Sequence, residues 1–199
     1  MADLEKTLKN LQNRGFHAQI FADRKQAADF LVQTLKNTSV GIGGSATIES
    51  LNVYDRLTED NEVFWHWKSA AADTREKAGR AESYICSANG LSETGEIVNL
   101  DGFGNRVSAT IYGPQRIFIV VGKNKIAPDL ESTIFRVRNV AAPLNARRLK
   151  MNTPCVKGEL RCYDCRSSDR ICRAMGIMLM PPTSVKEFHV LLVDEELGC

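Results

Sequence analysis

The sequence contains no long apolar run. No stretch approaches the roughly 18 consecutive apolar residues that a membrane-spanning helix needs, so membrane insertion is not expected. The opening segment, MADLEKTLKNLQNRGF, is charged and has no apolar core of the kind that a secretory signal requires. We therefore expect a cytoplasmic protein.

The chain also has no large excess of either charge. It carries 26 Lys and Arg residues against 24 Asp and Glu residues, a formal net charge of +2, and this balance gives no reason to expect nucleic acid as a partner. Hydrophobic residues make up 43% of the 199 residues, enough to bury a core. Because no internal repeat or low-complexity linker interrupts the chain, we interpret residues 1–199 as one domain with a cysteine-rich loop at about 152–175.

Two common phosphate-binding motifs are missing from the one glycine-rich segment, Gly41–Thr47 (GIGGSAT). It has neither the lysine of a P-loop nor the spacing of a dinucleotide-binding fingerprint. Its glycines and hydroxyls, placed between a predicted strand and a predicted helix, still suit a phosphate or carboxylate. We predict ligand contacts from Gly43, Gly44, Ser45 and Thr47. The alternative is a tight turn in which Ser45 or Thr47 caps the helix.

Cysteine is scarce outside one short segment. Four of the six cysteines form a C-x6-C-x2-C-x6-C pattern, namely Cys155, Cys162, Cys165 and Cys172. Thiols gathered this closely predict an iron–sulfur cluster, zinc or a pair of disulfides. A reducing cytoplasm disfavours disulfides, and a single C-x2-C pair is less typical of zinc than two pairs are. We therefore favour a four-iron cluster, with zinc as the alternative; metal-free thiols also stay open.

The hydrophobic pattern predicts strands that alternate with helices. The predicted strands are Ala18–Phe21, Ser39–Gly43, Glu62–His66, Ser83–Ser87, Glu96–Leu100, Arg116–Val121 and Phe188–Asp194. The predicted helices are Ala2–Asn13, one capped by Asp23 and ending near Lys36, Ala46–Leu57, Asp73–Arg80, and Pro128–Lys150 with an interruption near Pro143. This alternation predicts an α/β fold with three layers and a mostly parallel sheet.

Polar residues follow the ends of several predicted strands, where ligands bind in open α/β sheets. Glu93 is the candidate general base or nucleophile, and His66 is a second catalytic candidate. The ligand-binding candidates are Asn89, Thr94, Glu96, Asn105, Arg106 and Lys123. Lys125 accompanies Lys123, and two lysines there complement an anion. For the stretch from Ser87 to Arg106 the alternative is a hairpin with solvent-facing charges, and for the two lysines it is a solvated turn. For His66 the alternative is a half-buried structural histidine.

Five segments together resemble the lactate-utilization (LUD) domain family. They are GIGGSATIES, SANGLSETGEIVNLDGFGNRV, YGP, VVGKNKIAPDLE and RVRNVAAPLNARRL, spread from Gly41 to Leu149. The resemblance extends over most of the chain, and the chain is similar to the lactate-utilization protein C group. It implies a fold like that of ribose-5-phosphate isomerase, glucosamine-6-phosphate deaminase and CoA transferases.

The resemblance also implies a function. It suggests a component of lactate or related organic-acid utilisation that binds a small anionic metabolite and holds an iron–sulfur cluster in an electron-transfer role. Iron–sulfur and oxidoreductase subunits of a lactate oxidation system are the implied partners. Two alternatives stay open: a metabolic enzyme acting on a phosphorylated or acyl (CoA-type) small molecule, and a non-catalytic subunit that senses a carboxylate.

Overall fold

A parallel β-sheet forms the centre of the molecule in the computed structural model, which describes residues 2–199. Six strands pair in the order β1-β10-β7-β4-β2-β3, and every pairing is parallel. Their bounds are β1 His17–Phe21, β2 Ser39–Ile42, β3 Glu62–Trp65, β4 Ser83–Ser87, β7 Arg116–Gly122 and β10 Glu187–Val193. The predicted α/β fold with a mostly parallel sheet is confirmed.

Alternating side chains bury both faces of this sheet. In β7, Ile117 and Ile119 point into one apolar core, while Phe118 and Val120 point into the other. All four are completely buried. The sequence of such a strand is a continuous apolar run because neither face of the strand contacts water. The two cores give the molecule three layers, as predicted.

Helices cover the sheet from both sides. Leu11 and Ala78 pack into the first core, and Leu31, Ile48 and Leu57 pack into the second. The helices are α1 Leu4–Asn13, α2 Arg24–Thr34, α3 Ala46–Ser50, α4 Tyr54–Thr58, α5 Thr74–Arg80, α6 Asn105–Ile111, α7 Leu130–Arg136, α8 Ala142–Arg148 and α9 Pro154–Lys157. None of the helices found in residues 2–199 has the length and apolar character needed to cross a membrane.

A second, smaller sheet was not predicted. Its order is β8-β5-β6-β9, and it mixes parallel and antiparallel pairs. The strands are β5 Gly90–Ser92, β6 Ile97–Asp101, β8 Ile126–Ala127 and β9 Ala174–Met178. Leu91, Ile97 and Met178 pack into the first core, so this sheet extends the layer that α1 begins.

Two predicted helices are modified in the structure. The helix predicted for Ala46–Leu57 is divided into α3 and α4, because Asn52 between them has φ of 52° and breaks the helical path. The long helix beginning near Pro128 contains the predicted interruption, a π-helical segment at Val137–Ala141 that ends two residues before Pro143. Proline has no N–H to continue the regular hydrogen-bond ladder, which favours this irregularity.

Candidate functional site

Three loops meet where strands β2, β4 and β7 end. They are Gly43–Thr47, Ser87–Asn89 and the 3-10 turn Lys123–Lys125. The strands are parallel neighbours, so their carboxyl ends lie on the same edge of the sheet. This edge is where open α/β sheets place ligands.

A small inner cavity of about 60 Å³ lies between these loops. Residues predicted from the sequence line it, including Gly44, Ser45, Thr47, Asn89 and Arg106. Ser45 also caps α3, since its Oγ accepts from the Ile48 N–H at 3.2 Å. Ser45 therefore combines the predicted position beside the ligand space with the alternative role of helix cap.

Lys125 is the central charged group of the inner cavity. Its ammonium donates to Thr47 Oγ1 at 2.8 Å, to Ser87 Oγ at 3.0 Å and to the Ala88 carbonyl at 3.3 Å. Only 4% of the Lys125 surface is exposed to solvent. Burial, aided by Arg136 and the neighbouring guanidinium of helix α6, lowers the pKa of Lys125 to about 7. The cavity floor therefore carries a lysine whose charge is poorly compensated.

Two arginines flank this lysine in different ways. Arg136 donates to the backbone carbonyls of Asn124 at 3.0 Å and Asn89 at 2.8 Å, and burial lowers its pKa. Arg106 pairs with the buried carboxylate of Asp101 and donates to Asn89 Oδ1 at 2.9 Å. Among residues 2–199, neither Lys125 nor Arg136 has a carboxylate within 4.0 Å, whereas Arg106 does.

The Gly43 backbone must approach Arg106 closely. A Cβ at Gly43 would lie 2.8 Å from Arg106 Cγ and 2.8 Å from the Tyr84 hydroxyl. No larger side chain fits without displacing the arginine. Gly43 thus serves the site by leaving room for Arg106.

A larger outer cleft of about 620 Å³ adjoins the inner cavity. The two spaces share the lining residues Gly44, Arg106, Asn145 and Arg148. Five arginines line the outer cleft: Arg75, Arg106, Arg148, Arg170 and Arg173. The predicted ligand residue Asn105 and two aromatic side chains, Trp67 and Phe103, also line it.

His66 lies in the outer cleft beside the glycine loop. A Cβ on Gly44 would be 3.2 Å from His66 Nε2, so the loop backbone passes close to the imidazole. Burial, followed by the charge of Arg75, lowers the pKa of His66. Both effects favour the neutral imidazole, which is the form that can accept a proton. Its predicted catalytic role stays a prediction.

The other catalytic candidate, Glu93, lies elsewhere. Its carboxylate pairs with Lys6 at 2.9 Å and accepts from the Asp3 N–H at 3.0 Å, which ties it to helix α1. The hydrogen bond from Lys6 is the largest cause of its lowered pKa. Glu93 lines neither the inner cavity nor the outer cleft. The structure does not bring it together with the other candidate residues.

Three predicted ligand residues, Thr94, Glu96 and Lys123, likewise line neither the inner cavity nor the outer cleft. Glu96 pairs with Arg14 and accepts from Thr94 Oγ1 at 2.5 Å. Lys123 is exposed and pairs with Asp194 at 2.9 Å. Of the two lysines after β7, Lys125 therefore enters the site. The turn at Lys123–Lys125 directs one lysine inward and leaves the other in solvent.

The four clustered cysteines converge on a third, very small cavity of about 20 Å³. All four are partly buried, and all six cysteines of the chain are free thiols. Arg138 donates to Cys162 Sγ at 3.7 Å, and the Asp164 N–H lies 3.4 Å from the same sulfur. Across residues 2–199, however, no group of three or more Cys, His, Asp or Glu side chains is arranged to hold a metal ion.

The cysteine cavity and the outer cleft share Arg170 and Ile171. Arg170 donates to the carbonyls of Cys172 and Cys165, both at 2.8 Å. The segment that carries the thiols therefore also forms one wall of the cleft. The cysteine spacing does not indicate what the loop packs against, so this shared wall could not be predicted from the sequence.

The model of the LUD domain family matches residues 4–193 of this chain. A crystal structure of a DUF162 family protein from Deinococcus radiodurans is similar, with a TM-score of 0.57 and 12% sequence identity. The similarity covers 96% of this chain and 95% of that chain, and at this identity it shows the fold alone. No curated protein matches the chain.

Proposed function

The chain belongs to the LUD domain family, and from this premise we propose that it binds a small organic anion at the carboxyl edge of its parallel sheet. The family resemblance expected from the sequence motifs is confirmed, and membership indicates involvement in lactate utilisation. The proposal concerns the ligand: a carboxylate or phosphate group that occupies the inner cavity beside Lys125.

The buried, unpaired charge of Lys125 carries this proposal. A buried cation is unfavourable unless an anion or a hydrogen-bond network compensates it. Here the ammonium has three neutral oxygen partners and no carboxylate within 4.0 Å in the part of the chain that the structure describes. An anionic group in the adjoining cavity supplies the missing charge. The cavity volume of about 60 Å³ is several times the roughly 10–15 Å³ that a cavity needs to hold one water molecule, so a carboxylate or phosphate group has room there.

The neighbouring lysine provides a matched control. Isothermal titration calorimetry with L-lactate, pyruvate and inorganic phosphate should detect binding of at least one anion to the wild-type protein. Lys125→Met should abolish that binding, because the compensating cation is removed. Lys123→Met should leave it unchanged, because Lys123 pairs with Asp194 on the surface. Equal affinities in both variants, or no binding of any anion to the wild type, would contradict the proposal.

A second function is supported by the convergence of four thiols on one cavity: we propose an iron–sulfur cluster with an electron-transfer role, and zinc as the alternative. The donor set fits, because thiolates are the usual ligands of a four-iron cluster, and Arg138 and Arg170 provide positive charge nearby. The present spacing of the thiols does not close around a single ion.

Such a cluster would supply one-electron transfer beside the outer cleft. The partners proposed for this role are iron–sulfur and oxidoreductase subunits of an organic-acid oxidation system, acting in the cytoplasm, where thiols stay reduced. Purification without air, followed by iron and sulfide quantification, tests it. Cys162→Ser should lose the iron, and Cys199→Ser, outside the group, should keep it. Stoichiometric zinc without iron in the wild type would refute the electron-transfer role.

A further inference from the structure

The two adjoining ligand spaces differ about tenfold in volume. The inner cavity, about 60 Å³, accommodates one anionic group, whereas the outer cleft of about 620 Å³ lies within the range of about 300–1,000 Å³ typical of sites for ligands of drug size. A three-carbon acid held by Lys125 leaves the outer cleft to solvent. The site is therefore larger than such an acid requires.

Unpaired positive charge extends through the outer cleft. Within residues 2–199, Arg75, Arg148 and Arg173 have no carboxylate within 4.0 Å, although all three line the cleft. Arg173 donates only to the backbone carbonyls of Arg170 and Ser168. Asp169 is the lining carboxylate that has no ion pair, so three free cations face one free anion.

Two of these arginines are held against aromatic rings. The Arg75 guanidinium lies 4.7 Å from the Phe103 ring centroid, and the Arg148 guanidinium lies 5.3 Å from the Trp67 ring centroid. Asn145 Oδ1 further orients Arg148, accepting from Nε at 3.1 Å and from an NH2 group at 2.8 Å. Stacking holds the flat face of a guanidinium and leaves N–H donors at its edge for phosphate oxygens.

The aromatic ring of Phe103 is itself available. The residue is 83% exposed at the rim of the cleft although it is a large apolar side chain. Arg75 covers one part of this ring, and the remainder meets solvent. An exposed aromatic ring beside guanidinium groups suits a planar ring that carries phosphates.

We propose that the ligand of this cleft is a ring-bearing phosphate ester of nucleotide size. One anionic group occupies the inner cavity at Lys125, further phosphate oxygens contact Arg75, Arg148 and Arg173, and the planar ring stacks on Phe103. This inference rests on the proposed anion site and names the class of molecule that it takes. Arg75 of α5 and Arg173 of the cysteine segment line the outer cleft but not the inner cavity, whereas Arg148 of α8 lines both spaces.

Titration calorimetry with ADP, pyrophosphate and inorganic phosphate tests the proposal on the full chain. ADP should bind at least about tenfold more tightly than phosphate, because it reaches both spaces. Arg75→Gln should weaken ADP binding by about tenfold and leave phosphate binding within about twofold, since Arg75 lines only the outer cleft and phosphate contacts only the inner cavity. Phe103→Ala should weaken ADP binding at least about fivefold and spare pyrophosphate, which has no ring.

A surface arginine gives the matched control. Arg80→Gln removes a charge from α5 that pairs only with Glu76 on the exposed face, so ADP affinity should not change. If ADP binds no more tightly than phosphate, or if Phe103→Ala weakens pyrophosphate as much as ADP, the nucleotide-sized ligand is refuted while the anion site at Lys125 stands. If no anion binds at all, both proposals fail.

Discussion

Replacing Lys125 by methionine should stabilise the ligand-free protein rather than weaken it. The ammonium is buried without a carboxylate partner, and its pKa is lowered from 10.5 to about 7 chiefly by burial. Methionine has a similar length and no charge, so it removes the desolvated cation and keeps most of the packing. The Thr47 and Ser87 hydroxyls can reorient, whereas the Ala88 carbonyl loses a donor, at a cost of about 1 kcal/mol.

The size of the effect should depend on pH in a defined direction. Between pH 7 and 10.5 the unfolded chain holds the Lys125 proton more tightly than the folded protein does, so the stability of the wild type rises with pH in this window. The destabilisation caused by the Lys125 charge has its full size below pH 7 and disappears as the pH approaches 10.5. From pH 8 to pH 9.5 the linkage relation gives a gain of about 2 kcal/mol for the wild type, which Lys125→Met lacks.

Urea unfolding at pH 8 and pH 9.5 measures this double difference. Tryptophan fluorescence reports the transition, because Trp65 is buried in the core. Lys123→Met is the control and should follow the wild type at both pH values, since its lysine is exposed. A stability difference between wild type and Lys125→Met that is the same at pH 8 and pH 9.5 would show that the lysine has an ordinary pKa, and the charge argument for the anion site would fall with it.

Three further predictions follow from the packing. Arg106→Met should lower the free energy of unfolding by about 3–5 kcal/mol by leaving Asp101 buried without a partner, and adding Asp101→Asn should recover part of the loss in urea titrations. Gly41→Ala should lower the free energy of unfolding by about 3 kcal/mol, since its Cβ would overlap the backbone of α5. A Cβ at Gly79 would have no atom within 4 Å, so Gly79→Ala should raise the melting temperature by the equivalent of about 0.5–1 kcal/mol. Glu93→Gln should cost less than about 1 kcal/mol and leave anion affinity unchanged in calorimetry; a loss of anion binding would restore Glu93 to the site.

The strongly patterned strands of the central sheet could be predicted from the sequence. Between Arg116 and Gly122 the strand is a continuous run of β-branched and aromatic residues, a pattern typical of a strand covered on both faces. The small second sheet could not be predicted in the same way. The strand at Ile126–Ala127 has two residues and the one at Gly90–Ser92 has three, too short for an alternation of polar and apolar side chains to emerge.

The candidate site was predicted at the level of loops but not of side chains. The rule that ligands bind at strand ends pointed to the segments Gly43–Thr47, Ser87–Asn89 and Lys123–Lys125, and the structure brings these three together at one edge of the sheet. It could not tell which lysine of the last segment faces inward, because that depends on the turn after β7. Glu93 follows a strand of the second sheet, whose packing against α1 directs the carboxylate to Lys6. Contacts between elements far apart in sequence therefore decided the outcome.

The near-neutral composition of the chain hides a local concentration of positive charge. The formal net charge is only +2, which gave no reason to expect an acidic partner. Yet Lys125, Arg75, Arg148 and Arg173 line two adjoining spaces, and none of the four has a carboxylate within 4.0 Å in residues 2–199. The protein around these side chains has a low dielectric constant, which strengthens the electric field of each charge. The same burial disfavours the charged form of Lys125 and lowers its pKa. Net charge measures the whole surface, whereas a ligand responds to the field in the cleft, so an anion site is consistent with this balanced sequence.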